Sequence, residues 1–164
     1  MTEPLLHGLP PVIDGRAELL ILGSFPSVRS LTERQYYANP RNAFWSITAE
    51  LFDFDCGATY SDRLAAMQAH RVALWDVLGS CRRAGSADAA IESKTLVVND
   101  FDWLFATYPG ITRVYCNGAA AAKLFERMVA RPAAVSCRRL PSTSPAHAVS
   151  RAAKLTAWSA LVDS

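Results

Sequence analysis

Apolar and polar positions follow one another along the chain in a pattern that predicts strands separated by helices. Strands are predicted at residues 18–22, 71–77, 112–116 and 134–140. The first contains the continuous apolar run 19–22, which is typical of a strand buried on both faces. Apolar residues at helical spacing predict helices at residues 43–52, 60–70, 99–108, 119–130 and 151–161, and a single helical turn at 86–91. Because strand and helix alternate, we predict an α/β fold, a three-layer α/β/α sandwich with a central four-stranded parallel sheet.

Residues 19–45, LLILGSFPSVRSLTERQYYANPRNAFW, join a buried strand to a polar loop rich in aromatic residues. Gly23 follows the apolar run and is interpreted as the point where the backbone turns sharply. Asn39 precedes a proline and predicts a tight turn, and Asn42 stands just before the predicted helix that begins at Ala43. Open α/β sheets bind their ligands at the carboxyl ends of their strands, so this loop is the predicted ligand site.

Three predicted strand exits, after Gly23, Asp76 and Leu140, lead into polar segments. Residues 76–85 are predicted to be a loop. The carboxyl ends of parallel strands share one edge of the sheet, so arginines in these segments are candidates for a basic rim: Arg29, Arg34, Arg41, Arg82, Arg83 and Arg139. The alternative for the adjacent pair Arg82 and Arg83 is solvated surface charge.

Length and composition indicate an ordinary globular protein. The 164 residues predict a single domain, with residues 1–16 as an extended lead-in that contains three prolines. Apolar residues make up 51% and charged residues 20%, which excludes the disordered class. The net charge of +2 is too small to indicate a polyanionic partner by itself.

The cysteines and the amino terminus exclude several other classes. Four cysteines are scattered, without a CxxC pair or a histidine at zinc-finger spacing, so a structural zinc or iron–sulfur site is not expected. No signal peptide and no apolar run long enough for a membrane span is recognisable. We therefore expect a cytoplasmic protein with reduced thiols.

Five segments resemble the uracil-DNA glycosylase superfamily, and more specifically its hypoxanthine-DNA (deoxyinosine) glycosylase branch. They are GSFPSVRSLTERQYYANPRNAFW, ALWDVLGSCRRAGSADAAI, NDF, VYCNG and LPSTSPAHA. They occur in the order and at separations similar to those of the family, and the resemblance covers nearly all of the chain from Leu19 to Trp158.

The resemblance implies hydrolysis of the N-glycosidic bond of a deaminated base, chiefly hypoxanthine, without a metal or organic cofactor. The implied partner is double-stranded DNA that contains a damaged base, and the implied protein is a monomer in a bacterial-type, nucleoid-associated cytoplasmic setting. The target nucleotide must leave the base stack and enter a pocket. No lysine lies in a matched segment, so strand cleavage through a Schiff base is not expected.

The resemblance also implies roles for particular residues. Asn42 matches the asparagine that looks catalytic in this branch, where its carboxamide would orient the attacking water, and Asn39 is the second catalytic candidate. Asp76 stands where the superfamily reads the Watson–Crick edge of the flipped base, and an ionised aspartate would accept a hydrogen bond from N1–H of hypoxanthine. The remaining implied site residues are Gly23, Ser24, Phe25 and Tyr37 around the base and Arg82, Ser142, Thr143, Ser144 and Pro145 at the DNA.

Each of these interpretations has a structural alternative. Asn42 could act only as a helix cap, and Asn39 only as a turn former. One of the two tyrosines, Tyr36 and Tyr37, is expected to line the pocket and the other to pack. Trp45, Trp75, Trp103 and Trp158 are expected in the core. Cys81 and Cys116 are expected to be buried side chains, and Ser61 and either Asn99 or Asp100 are expected helix caps.

Two departures from the family pattern leave the function open. Phe25 and Leu140 stand where other branches carry a water-activating acid or amide and a histidine. One alternative is therefore a glycosylase with broader uracil or xanthine specificity, and another is a non-catalytic nucleic-acid-binding α/β domain on the same scaffold.

Overall fold

The structure is a computed structural model that describes residues 3–163. Its strands are β1 (Leu5–His7), β2 (Leu19–Gly23), β3 (Val72–Asp76), β4 (Leu78–Arg82), β5 (Val97–Val98), β6 (Arg113–Asn117) and β7 (Ser136–Leu140). Its α-helices are α1 (Val28–Glu33), α2 (Phe44–Phe52), α3 (Tyr60–Ala69), α4 (Phe101–Thr107), α5 (Ala119–Met128) and α6 (Arg151–Trp158). Short 3₁₀ turns occupy Asp88–Ala90 and Ser159–Leu161.

The four predicted strands form one parallel sheet in the order β3-β2-β6-β7. Strands β2 and β3 are buried along their whole length, as their continuous apolar sequences require, whereas β7 lies at an edge and is mostly exposed. The chain adds β3 on one side of β2 and β6 on the other, so the strand order reverses beside β2. The predicted α/β fold with its four-stranded parallel sheet is confirmed.

Aromatic contacts show how the helices cover the sheet. The rings of Phe44 in α2 and Trp158 in α6 lie 5.9 Å apart, so these two helices pack against each other. Phe101 in α4 and Phe125 in α5 lie 5.5 Å apart. Connections between parallel strands are right-handed. A connection that runs across the sheet in one direction therefore places its helix on one face, and a connection that runs in the other direction places its helix on the opposite face. The sheet is therefore enclosed between α2 and α6 on one face and α4 and α5 on the other.

A second sheet, absent from the sequence prediction, joins β1, β4 and β5 in antiparallel pairs. The prediction of a loop at residues 76–85 was wrong, because β4 begins two residues after β3 ends. The glycine that suggested a loop, Gly79, lies inside β4, where an added Cβ would be 2.6 Å from Oδ1 of Asn99. Close packing, and not a turn, therefore accounts for this glycine.

The helix boundaries depart from the prediction where capping decides them. Thr59, and not Ser61, caps α3 by accepting a hydrogen bond from the amide of Asp62 at 3.2 Å. Asp100 caps α4, as one of the two expected residues. Helix α1 was not predicted at all, because its six residues are too few to show periodicity.

The core contains three of the four tryptophans. Trp45, Trp75 and Trp158 are buried, as expected, but Trp103 is 43% exposed on the outer side of α4. Cys81 and Cys116 are buried, which agrees with their interpretation as small core side chains. Within residues 3–163, the helices are all too short or too polar to cross a membrane.

Replacing Leu74 with alanine tests the core of the parallel sheet. Leu74 is fully buried in β3, so Leu74→Ala should lower the free energy of unfolding by about 2–5 kcal/mol through lost burial and a cavity. Leu5, which is 42% exposed in β1, provides the matched control, and Leu5→Ala should cost about 0.5 kcal/mol or less. Urea unfolding measures both, and an equal loss at the two positions would contradict this description of the core.

Candidate active site

The carboxyl ends of the parallel strands bring four residues into one row. Gly23 of β2 pairs with Asp76 of β3, and Asn117 of β6 pairs with Leu140 of β7. Leu22 pairs with Cys116, so Gly23 and Asn117 are neighbours across the two central strands. A cavity of about 230 Å³ opens above this row, at the place where the strand order reverses. This is the position at which open α/β sheets bind ligands.

Most of the site residues predicted from the sequence line this cavity. They are Gly23, Ser24, Phe25, Tyr37, Asn39, Asn42, Asp76, Ser142, Thr143, Ser144 and Pro145. Arg82 is the exception, since it lies on β4 and donates a hydrogen bond to the carbonyl of Glu3. The structure thus assembles segments from three distant parts of the chain in one place.

The predicted basic rim does not form as expected. Of its six arginines, Arg29 alone lines the cavity, and it is paired with Glu33 at 2.6 Å. Arg83 is buried under the loop that contains Phe25. Its guanidinium donates to the carbonyls of Gly85 and Pro26, each at 2.7 Å, and lies 5.1 Å from the centre of the Phe25 ring. Arg83 therefore supports this loop and is not a solvated charge.

Gly23 is required by a close approach and not by a turn. It is the last residue of β2 and does not have a positive φ angle, so its interpretation as a sharp turn was wrong. An added Cβ would lie 2.5 Å from Oδ1 of Asp76 and 3.4 Å from the hydroxyl of Tyr37. The carboxyl group of Asp76 thus occupies the space that any larger residue at position 23 would need.

Asp76 is 5% exposed, and its Oδ2 atom is buried without a hydrogen-bond partner among residues 3–163. Burial raises the pKa of its carboxyl group to about 7, the nearby negative charge of Asp88 adds to the rise, and the guanidinium of Arg83 opposes it. An acid with such a pKa can be neutral or ionised near physiological pH.

The two neighbouring tyrosines both line the cavity, although one was expected to line it and the other to pack. The hydroxyl of Tyr36 donates to the carbonyl of Pro10 at 2.8 Å, which ties this residue into the core. The ring of Tyr37 stacks on Phe44 at 3.9 Å, and its hydroxyl is buried without a partner in the described part of the chain. Tyr37 also has a φ of 54°, which is unusual for an aromatic residue. Such strain at a cavity wall is typical of functional sites.

Asn39 and Asn42 form one tight turn that leads into α2. The carbonyl of Asn39 accepts from the amide of Asn42 at 2.9 Å, and its side chain accepts from the amide of Arg41 at 3.0 Å. Oδ1 of Asn42 accepts from the amide of Phe44 at 2.9 Å. Asn42 therefore does support the start of α2, but an amide oxygen has a second lone pair and an NH₂ group beside it. Asn42 is not the N-cap itself, which is Ala43, and its contact with Phe44 leaves those groups available to a ligand.

Asn117 links the loop after β7 to the start of α2. Its Nδ2 donates to Oγ1 of Thr143 and its Oδ1 accepts from the amide of Thr143, each at 2.9 Å. The carbonyl of Thr143 then accepts from the amide of Ala43 at 3.0 Å. Lys154 adds a hydrogen bond to the carbonyl of Ser144 at 3.0 Å. These contacts fix Asn42 relative to the edge of the sheet.

Several residues of the cavity were not predicted. Asn117 directly follows the predicted strand at residues 112–116 but was not assigned to the site, although an asparagine at the end of a buried strand is itself a signal for the strand-end site. Ser86 and Asp88 lie in the same matched segment as Asp76 but were not assigned to the site. The hydroxyl of Ser24 donates to Asp88 at 2.5 Å and the amide of Val28 donates to Ser86 at 2.9 Å, so this segment forms part of the cavity wall.

Comparisons with known proteins agree with this fold. The model of the uracil DNA glycosylase superfamily matches residues 10–162, so the chain belongs to that superfamily. A hypoxanthine DNA glycosylase from Methanosarcina acetivorans is 34% identical over 86% of this chain and 87% of its own length. One from Methanosarcina barkeri is 36% identical over 68% of this chain and 70% of its own length.

A solved structure supports the same relationship. The solution NMR structure of a candidate uracil DNA glycosylase from Methanosarcina acetivorans superposes with a TM-score of 0.82 at 32% identity. The match covers 96% of both chains. The family expected from the sequence segments is therefore confirmed.

Replacing Asn117 tests the link between the sheet and the loop after β7. Asn117→Ala leaves the buried amide of Thr143 without its acceptor, so the folded state should lose about 1–3 kcal/mol and this amide should exchange its hydrogen faster. The control Thr143→Ser keeps the hydroxyl that Asn117 contacts and should retain the protection. Unchanged amide exchange in Asn117→Ala, followed by NMR, would contradict the proposed link.

Proposed function

We propose that this chain is a monofunctional DNA glycosylase that hydrolyses the N-glycosidic bond of hypoxanthine at deoxyinosine in DNA. Its support is the similarity to two hypoxanthine DNA glycosylases, and the observation that carries it is that Asn42 and Asp76 line one cavity. We expect a single-domain monomer that acts on duplex DNA in the cytoplasm. Both relatives are archaeal, so the comparisons do not support the bacterial, nucleoid-associated setting expected from the sequence.

In this proposal the flipped base enters the cavity above Gly23. Phe25 and Tyr37 supply aromatic surface on which a purine can stack. Asp76, at the carboxyl end of the edge strand β3, accepts a hydrogen bond from N1–H of hypoxanthine. Residues 142–145 contact the phosphates beside the flipped nucleotide, together with Arg29 at the cavity wall.

Asn42 orients the attacking water in this proposal. A carboxamide is too weak a base to deprotonate water fully, so its contribution is positioning against a sugar that already carries developing positive charge. The lone pair of Oδ1 that the amide of Phe44 does not use can accept from the water. Phe25 offers no such group, which makes Asn42 the principal catalytic candidate and leaves Asn39 as a supporting residue in the same turn.

The proposal predicts that Asn42→Ala loses excision but not DNA binding. The protein is incubated with a duplex that contains one deoxyinosine, and alkali then cleaves the abasic sites. The wild type should release hypoxanthine, whereas Asn42→Ala should be slower by about 10²-fold or more because the water is no longer oriented. Affinity for the duplex, measured in parallel, should change little, since a lost transition-state contact lowers the rate and not ground-state binding.

Asn42→Ser separates the two roles of this residue. Serine retains a helix-capping oxygen for the amide of Phe44, so α2 should remain as stable as in the wild type while excision is still lost. Full excision by Asn42→Ser would mean that Asn42 is only a cap. Alkali-dependent cleavage at deoxyuridine but not at deoxyinosine would replace the proposed substrate with uracil, and cleavage at neither base would favour a binding domain without catalysis.

A substitution at Gly23 tests the position of the base pocket. The added methyl group of Gly23→Ala meets Oδ1 of Asp76 at 2.5 Å and forces this carboxyl group to move. We expect a loss of excision of about tenfold or more, because a displacement of about 1 Å in a reacting geometry has effects of that size. Gly15→Ala is the matched control, since nothing lies within 4 Å of its added methyl group. Equal excision by the two variants would exclude this part of the cavity from base binding.

A further inference from the structure

The surroundings of Asp76 are unsuited to an ionised carboxylate. Oδ2 is buried and has no hydrogen-bond partner among residues 3–163, and across the strand pair lies Gly23, which has no side chain. Within the described part of the chain, one side chain donates a hydrogen bond to Asp76, and this bond runs from Nδ2 of Asn99 to the backbone carbonyl at 2.8 Å. A buried negative charge without a donor is costly, so a carboxyl group in such a place retains its proton to a higher pH than an exposed one.

The charged and titratable groups around Asp76 do not supply the missing partner. Arg83, just after β4, donates to the carbonyls of Gly85 and Pro26, and its Nη1 atom is buried without a partner among residues 3–163. Its positive charge opposes the rise in the pKa of Asp76, but it makes no hydrogen bond to Oδ2. Asp88, in the 3₁₀ turn, is engaged with Ser24 and adds negative charge. Tyr36 and Tyr37 precede α2, and burial raises the pKa of both hydroxyls, so they stay neutral. Arg29 at the cavity wall is paired with Glu33.

We infer that Asp76 reads the flipped base as a neutral carboxylic acid, accepting a hydrogen bond from N1–H of hypoxanthine and donating its own proton to O6. This inference rests on the proposed function and replaces the accept-only role expected from the sequence. It assigns a donor to the site where the sequence suggested only an acceptor.

The edge of hypoxanthine favours the neutral acid over the carboxylate. This edge presents a donor, N1–H, directly beside an acceptor, O6. A carboxylate can accept from N1–H, but its second oxygen then faces O6, and two acceptors repel each other. A carboxylic acid presents one acceptor and one donor and forms two parallel hydrogen bonds. Any flipped base with adjacent N–H and C=O groups can form the same pair of hydrogen bonds. The inference therefore specifies which edge Asp76 recognises, and it does not specify the size of the base.

The pH profile of excision distinguishes the two forms. Burial raises the pKa of Asp76 to about 7, and the neutral form is lost as the pH rises through that value. Under conditions that report kcat/KM, the wild-type rate should be constant below about pH 6.5 and fall about tenfold for each pH unit above about 7.5. In Asp76→Asn the carboxamide is neutral at every pH and offers the same donor and acceptor. The ratio of variant to wild-type rates should rise by about tenfold between pH 7.5 and 8.5.

The comparison with Asp76→Asn also removes the effect of the substrate. Any ionisation of N1–H of hypoxanthine at high pH affects both proteins equally, so the ratio of their rates reports Asp76 alone. Asp88→Asn provides a second variant, because it keeps an oxygen for Ser24 but removes the charge that helps to raise the pKa of Asp76. The midpoint of the pH profile of excision by Asp88→Asn should lie at a lower pH than that of the wild type.

Direct observation of the carboxyl group completes the test without relying on activity. The ¹³C NMR signal of the Asp76 carboxyl carbon, in the unbound protein, should titrate near pH 7 and not near the value of about 3.9 that is usual for aspartate. Thermal unfolding confirms that Asp76→Asn and Asp88→Asn are folded.

The outcomes separate the inference from the proposed function. If the rate of hypoxanthine excision stays constant or increases as the pH rises through 7, the inference that Asp76 acts as a neutral acid is wrong, but the proposed glycosylase function still holds. A carboxyl titration near the usual aspartate value would do the same. Absence of hypoxanthine release by wild type and Asp76→Asn at every pH would overturn the proposed function and the inference together.

Discussion

The close approach of Asp76 to the backbone of Gly23 is the contact on which the geometry of the site depends. The parallel register places these two residues side by side at the ends of two fully buried strands. An added Cβ at position 23 would be only 2.5 Å from the carboxyl oxygen, so the absence of a side chain there makes room for the acid. Burial at the ends of these strands leaves Oδ2 of Asp76 without a hydrogen-bond partner among residues 3–163 and raises the pKa of the carboxyl group, while the residue still lines the cavity.

A second set of contacts places the water-orienting candidate relative to this acid. Asn117 holds Thr143 through two hydrogen bonds, and Thr143 holds Ala43, the residue next to Asn42. Asn42 thus belongs to a loop but is anchored to the same row of strand ends as Asp76. A carboxamide contributes by position and not by basicity, so a site that uses it needs this rigidity more than a site with a strong general base would.

The sequence predicted most of the strands and helices, but it did not predict the contacts between distant residues that hold them in place. Long apolar runs and helical periodicity identified the parallel sheet because burial on both faces leaves a strong pattern. Helix α1 and strand β4 are too short or too interrupted by glycine to leave one. The functions of Gly79, Arg83 and Asn117 depend on partners that are distant in the chain, namely Asn99, Pro26 and Thr143. Such pairings exist only after folding, and no local pattern indicates them.

The weakness of Asn42 as a base and the neutrality inferred for Asp76 complement each other chemically. When the glycosidic bond breaks, the sugar becomes cationic and the departing purine carries negative charge, part of which reaches O6. A hydrogen bond donated by Asp76 to O6 would therefore become stronger in the transition state than in the bound substrate, which is the condition for catalysis. An ionised Asp76 would instead repel the negative charge that develops on O6. In the proposed mechanism the leaving base would be stabilised in this way, so the water would need only to be held in place, and the carboxamide of Asn42 would be sufficient for that task.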